Sequence, residues 1–150
     1  MTTQSISSTI NRLELMLDPT KSNLVESIGL IDYLINYRTI GLNLPRQTGK
    51  TTFMVSKFAC QHSLLVVANQ ILKQDIIRRH PRLGPYVITA SEGSGIRYFG
   101  QGHRIQPFEY ILFDEPGIYP KHFDMVDFLS NLSYNRLVDA NTTIIKIGTM

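Results

Sequence analysis

The spacing of apolar positions changes several times along the chain, and each change marks an expected element. In "STINRLELML", residues 8–17, Ile10, Leu13 and Leu17 share one helical face, and "DPT" at 18–20 stops that helix. A second helix is expected over 23–36, with Asn23 and Glu26 placed as an N-cap and its reciprocal partner. "RTIGLNL", 38–44, is short and apolar and reads as a buried strand. A helix over 51–62 follows, with Phe53, Val55, Phe58 and Ala59 available for burial. Next come "LLVVA" at 64–68 as a strand and "QILKQDIIRR" at 70–79 as a helix with Ile71, Leu72 and Ile76 inward. "YVITA" at 86–90 is a third strand, and "GIRYFG" at 95–100 a hairpin or exposed ribbon. "YILFDE", 110–115, is an apolar strand ending in two acids. A helix around 123–135 and a last strand in "TTIIKIGT", 142–149, complete the pattern. Apolar strands alternating with helices predict an α/β fold, a mostly parallel sheet with helices on both faces. Ligands of such sheets sit at the carboxyl ends of the strands.

Composition and charge narrow this picture. With 150 residues, 43% of them hydrophobic and 18% charged, the chain fits one globular domain with a substantial core. A net charge of +3 permits a polyanionic partner without requiring one, because the only dense basic run is "RRHPR", Arg78 to Arg82. That run suits either a DNA phosphate contact, with Arg97, Arg104 and Lys121 as further candidates, or a solvated helix end favoured by its dipole. A single cysteine, Cys60, excludes an internal disulfide framework and a four-cysteine zinc site, and fits a reducing compartment. No apolar run approaches the roughly 20 residues of a membrane span, and the first residues lack a signal-peptide core, so a cytoplasmic protein with no membrane partner is expected. The four histidines have no metal-ligand spacing.

Candidate chemistry concentrates in "LPRQTGKTT", 44–52. Gly49, Lys50 and Thr51 reproduce the second half of the phosphate-loop pattern G-x-x-x-x-G-K-S/T, after a strand and before a helix as the mechanism requires. Backbone amides from Thr48 to Thr52 would bind phosphates, Lys50 would reach the β and γ oxygens, and the Thr51 hydroxyl would coordinate Mg2+. Leu44 stands where the first glycine is expected. The triplet alone arises by chance in roughly one in ten or twenty chains of this length. Asp114 and Glu115, ending an apolar strand, supply the second half of such a site. The aspartate can hold Mg2+ through water, and the glutamate can polarise the attacking water. The competing readings are a helix cap at Thr48 or Thr51 and an acidic strand-to-turn exit at "DEPG".

"PRQTGKTT" resembles the phosphate loop of viral large terminases, the ATPases that pump DNA into capsids, whose loop often lacks the first glycine. "LLVVAN" is similar to that family's second strand, "GSGIRYFG" to the segment before its acidic motif, "YILFDE" to its Walker B strand and "IIKIGT" to its third motif. The resemblance covers residues 30–150, a P-loop ATPase core. Residues 1–29 would be a helical segment packed on it, and no nuclease domain is expected within the chain. It implies that Arg46 senses or stabilises the γ-phosphate and Gln47 shapes the loop. Asp114 would serve Mg2+, Glu115 would be the catalytic base, and Thr149 would couple hydrolysis to movement. A β-branched residue simply ending a strand accounts for Thr149 equally well. Tyr33 and Tyr37 are candidates for holding the base or, at helical spacing, packing residues. The activity implied is Mg2+-dependent ATP hydrolysis on double-stranded DNA, in a homo-oligomer or with a portal or capsid partner. The alternatives are a helicase-like DNA-remodelling core and a nucleotide-binding module without turnover.

Overall fold

The structure is a computed structural model, and it describes residues 3–18, 21, 23–43, 62–92 and 106–148. The strands β1 (Thr39–Leu42), β2 (Ser63–Val67), β3 (Val87–Thr89), β4 (Tyr110–Asp114) and β5 (Thr143–Ile147) form one sheet in the order β1-β5-β4-β2-β3. Every pairing is parallel, so all carboxyl ends lie along one edge. The helices are α1 (Thr3–Met16), α2 (Leu24–Ile28), α3 (Leu30–Tyr37), α4 (Gln70–Arg79) and α5 (Met125–Tyr134). The fold is α/β, with helices covering both faces of an all-parallel sheet, as the apolar pattern predicts.

Period-two alternation divides the strands between two cores. Leu64, Val66, Ile111, Phe113 and Ile144 meet Tyr33 and Leu34 of α3 and Phe128, Leu129 and Leu132 of α5 on one face. Ile40, Leu65, Val67, Leu112, Ile145 and Ile147 meet Ile6 and Ile10 of α1 and Ile76 of α4 on the other. A buried side chain of this size contributes about 1.5–3 kcal/mol relative to its exposed state. The five residues of β2 are all buried, as a central parallel strand requires.

Local chemistry sets the element limits, and several differ from expectation. The first helix starts at Thr3, which adds Ile6 to the apolar stripe four residues before Ile10. The single helix expected over 23–36 is two, because Gly29 at φ 88°, ψ 157° leaves the helical region between α2 and α3. Asn23 has helical dihedrals and makes no side-chain cap. Asn69 caps α4 instead, accepting from Leu72 N–H at 3.0 Å, and Asp124 caps α5, accepting from Asp127 N–H at 3.1 Å. Ile71, expected inward, is 81% exposed; the buried stripe of α4 runs through Leu72 and Ile76, one full turn apart. A 3-10 helix, Pro81–Tyr86, shortens the third strand. After β3, Thr89 and Glu92 form a reciprocal pair: Glu92 N–H donates to Thr89 Oγ1 at 3.1 Å and the Glu92 carboxylate accepts from Thr89 N–H at 3.4 Å. The same carboxylate receives Gln70 Nε2 and, at 2.8 Å, Lys73 Nζ, tying the exit of β3 to the first turn of α4. Burial works to raise the Glu92 pKa, but these donors outweigh it and hold the carboxyl below its ordinary value. Of the expected helix over 51–62 only His62 is described, as a bend before β2; the ribbon at 95–100 and Cys60 lie outside the described residues. No described helix is long and apolar enough to cross a membrane.

Candidate functional site

The central strand of the sheet is β4, and its sequence turns from apolar to acidic where the strand ends. Ile111, Leu112 and Phe113 are fully buried, whereas Asp114 and Glu115 retain 6% and 9% of their exposure. Carboxylates are rarely buried to this degree unless paired or metal-bound. Alternation puts Asp114 on the Leu112 face. Glu115 breaks the alternation, with left-handed dihedrals of φ 53° and ψ 55°. For a residue with a Cβ this conformation costs on the order of 1 kcal/mol, and such strain gathers at functional sites. Pro116 then opens a short 3-10 helix, Pro116–Ile118, which turns the chain back over the sheet edge.

Two backbone hydrogen bonds align three strand ends. Glu115 N–H donates to Ile147 O at 3.0 Å, and Gly148 N–H donates to Leu42 O at 2.9 Å. The end of β5 therefore lies between the acids and the end of β1. The expected phosphate loop begins at Leu44, two residues beyond β1. With strands about 4.8 Å apart, the exits of β1 and β4 are separated by about 10 Å, a gap wide enough for a terminal phosphate and a hydrated cation. Of the expected site residues, the structure brings Asp114 and Glu115 together. Arg46, Gln47, Thr48, Gly49, Lys50, Thr51, Thr52 and Thr149 lie outside the described residues.

Sequence reasoning missed two residues here. Gly148 has φ 118°, and a Cβ on it would sit 2.8 Å from Glu115 Cδ and 2.9 Å from Oε2, so the Glu115 carboxyl rests directly on the glycine. Its signal was present, a glycine ending the strand of "IIKIGT". Tyr119 carried no motif. Its hydroxyl donates to Val66 O at 2.9 Å, bridging from the turn after β4 to β2, and its ring stands in an aromatic group with Phe113 and Phe123 at centroid distances of 6.5 and 5.1 Å. Burial first, and the Asp114 carboxylate second, push the phenol well above its usual pKa, so it stays protonated.

Other expected contacts lie elsewhere. Tyr33 is 1% exposed inside the core and stacks on Tyr37 at 5.9 Å, which makes it a packing residue. The basic run ends α4 and its following turn at the amino edge of the sheet, opposite the acids. There Arg78 and Arg79 pair with Asp75 at 2.8 and 3.4 Å. A groove of about 660 Å3 also opens at that amino edge, lined by Asn11, Glu14, Arg38, Glu109 and Asn141 among others. Arg38 is engaged there, donating to Asn141 O at 3.1 Å and Thr143 Oγ1 at 2.7 Å. Among the described residues no three His, Cys, Asp or Glu side chains cluster as a metal site. A magnesium ion carried by phosphates needs no such cluster, since one or two carboxylates and waters complete its shell; Asp114, at the end of β4, fits that donor set. Comparison with protein-family models and with curated proteins finds no match to this chain.

Proposed function

We propose that the chain is a Mg2+-dependent ATPase core of a DNA-translocating or packaging motor, of the kind found in viral large terminases, working in the cytoplasm (of the host cell, if viral). The observation that carries the proposal is the buried Asp114–Glu115 pair at the carboxyl end of the central parallel strand, one strand removed from the exit of β1 where "LPRQTGKTT" begins. In open parallel sheets, ligands bind at that edge. The strained Glu115, its carboxyl held against Gly148, is a further mark of a working site.

Each residue then has a chemical task. Lys50 and the amides of the loop from Thr48 to Thr52 bind the β and γ phosphates, with Gln47 shaping the loop and Arg46 at the γ-phosphate. Asp114, through water, and Thr51 hold Mg2+, which supplies positive charge to the phosphate oxygens when bound. Glu115 accepts a proton from the attacking water and orients it in line with the leaving oxygen. Tyr119, kept protonated, braces the turn that carries both acids. Thr149 follows the glycine that Glu115 touches and would relay the state of the site to DNA. An arginine from a neighbouring copy completes many such sites, so a homo-oligomer on double-stranded DNA, docked to a portal or capsid, is the proposed active form.

The test is phosphate release from MgATP by the wild type, Lys50→Ala and Glu115→Gln, with and without double-stranded DNA. Turnover stimulated by DNA, lost in both variants while Glu115→Gln still binds ATP, is the expected result. Nucleotide binding without phosphate release at any protein concentration, unchanged by Glu115→Gln, would instead identify a binding module.

A further inference from the structure

We infer that Gly148 is a positioning residue for the Glu115 carboxylate: the absence of a side chain at the end of β5 is the seat that fixes where the carboxylate stands. The inference rests on the reading of Glu115 as the base. Two observations meet at this point. Glu115 is 9% exposed and adopts left-handed dihedrals, φ 53° and ψ 55°, which aim its side chain sideways from β4. Gly148 is equally out of the ordinary, at φ 118°, and a methyl group built on it would lie 2.8 Å from Cδ, 2.9 Å from Oε2 and 3.0 Å from Oε1 of Glu115. All three atoms of the carboxyl group are therefore within collision distance of that one missing methyl. The obstacle is the far end of a flexible side chain, so an added Cβ displaces the carboxylate, while at φ 118° it also strains the backbone of residue 148.

The backbone holds the seat in register. Glu115 N–H is bonded to Ile147 O and Gly148 N–H to Leu42 O, so neither Cα can drift without breaking the ladder between neighbouring strands. Placement of a general base to within an ångström governs its rate, and loss of that placement leaves nucleotide binding intact because the phosphates are held by the loop from β1. Gly148 thus acts through Glu115, without touching the reacting atoms.

The experiment pairs crystal structures of the wild type and Gly148→Ala with their kinetics. The expected result is a Glu115 carboxylate displaced by about 1 Å or more in a protein of the same fold, less stable because alanine at φ 118° is strained. With it, kcat for MgATP falls on the order of a hundredfold, the cost of a misplacement of that size, and nucleotide affinity stays the same. A carboxylate that does not move, or a kcat that does not fall when it moves, overturns the inference. If Gly148→Ala fails to fold, the double variant Glu115→Ala/Gly148→Ala decides. Recovery of folding shows that the methyl met the carboxylate, and continued failure shows that the glycine serves only its backbone angle. If the wild type releases no phosphate, the ATPase proposal fails by itself, and the carboxylate positions in the two structures still test the seat.

Discussion

At the scale of single residues, Tyr119 shows how a side chain outside any motif enters a site. Its phenol reaches from the turn after β4 to the carbonyl of Val66, against Phe113 and Phe123. Tyr119→Phe removes that hydrogen bond and keeps the ring, so it should lower stability by about 1 kcal/mol, read as a shift of the urea midpoint. The phenol's raised pKa also has a sign. The unfolded chain releases this proton near pH 10, while the folded chain retains it, so stability contributed by Tyr119 is full below about pH 10 and declines above it. Tyr119→Phe should flatten that alkaline decline, and an unchanged slope would remove the pairing with burial and Asp114 as its cause. Asp114 and Glu115 were legible in the sequence because acids ending an apolar run are conspicuous. Tyr119 was not, because only the turn geometry after Glu115 brings it back over β2. Gly148 stood within "IIKIGT", but its contact depends on the left-handed turn at Glu115, which no residue pattern announces.

At the scale of elements, the apolar pattern was enough to place each described strand and the α-helical regions, but not the two 3-10 helices, and it failed where a single residue's backbone decides. Gly29 interrupts what reads as one continuous amphipathic helix, since apolar positions persist on both sides of it. The dihedrals, φ 88° and ψ 157°, belong to a region that essentially only glycine occupies. Among the described residues nothing lies within 4 Å of a Cβ built there, so the cost of Gly29→Ala is set by its conformation, about 1–3 kcal/mol. Thermal unfolding should show the loss at unchanged far-ultraviolet dichroism; a variant as stable as the wild type would mean that α2 and α3 tolerate a continuous helix. Ile71 failed for the opposite reason, because an apolar side chain in the first turn of α4 need not face the sheet once Leu72 and Ile76 do. The cap was misplaced at Asn23 because asparagine spacing alone does not fix dihedrals, whereas Asn69 and Asp124 stand at real strand-to-helix and loop-to-helix junctions.

At the scale of the molecule, parallel topology gathers the carboxyl ends of all five strands along one edge, the edge where ligands of such sheets bind. The fold class was legible because buried parallel strands read as unbroken apolar runs; strand order was not, because no local signal says that β5 inserts between β1 and β4. The basic run at the amino edge gives this placement a test. Arg78 and Arg79 pair with Asp75 at the end of α4, far from Glu115, and exposed pairs of this kind contribute little to stability. If the proposed ATPase reading holds, replacing both arginines by glutamine should leave phosphate release and its stimulation by DNA unchanged; a loss of stimulation would put the DNA path along the amino edge. The strand order also fixes a sequence of events in time. Within the described sheet β1 has one neighbour, β5, and its register pairs Thr39 with Ile144, about a hundred residues downstream. At synthesis rates of about 5–20 residues per second, β1 leaves the ribosome many seconds before its partner exists. The last described strand, β5, lies between the exits of β1 and β4, so in a nascent chain those two strand ends are brought into register only after residues 143–147 have been made and paired.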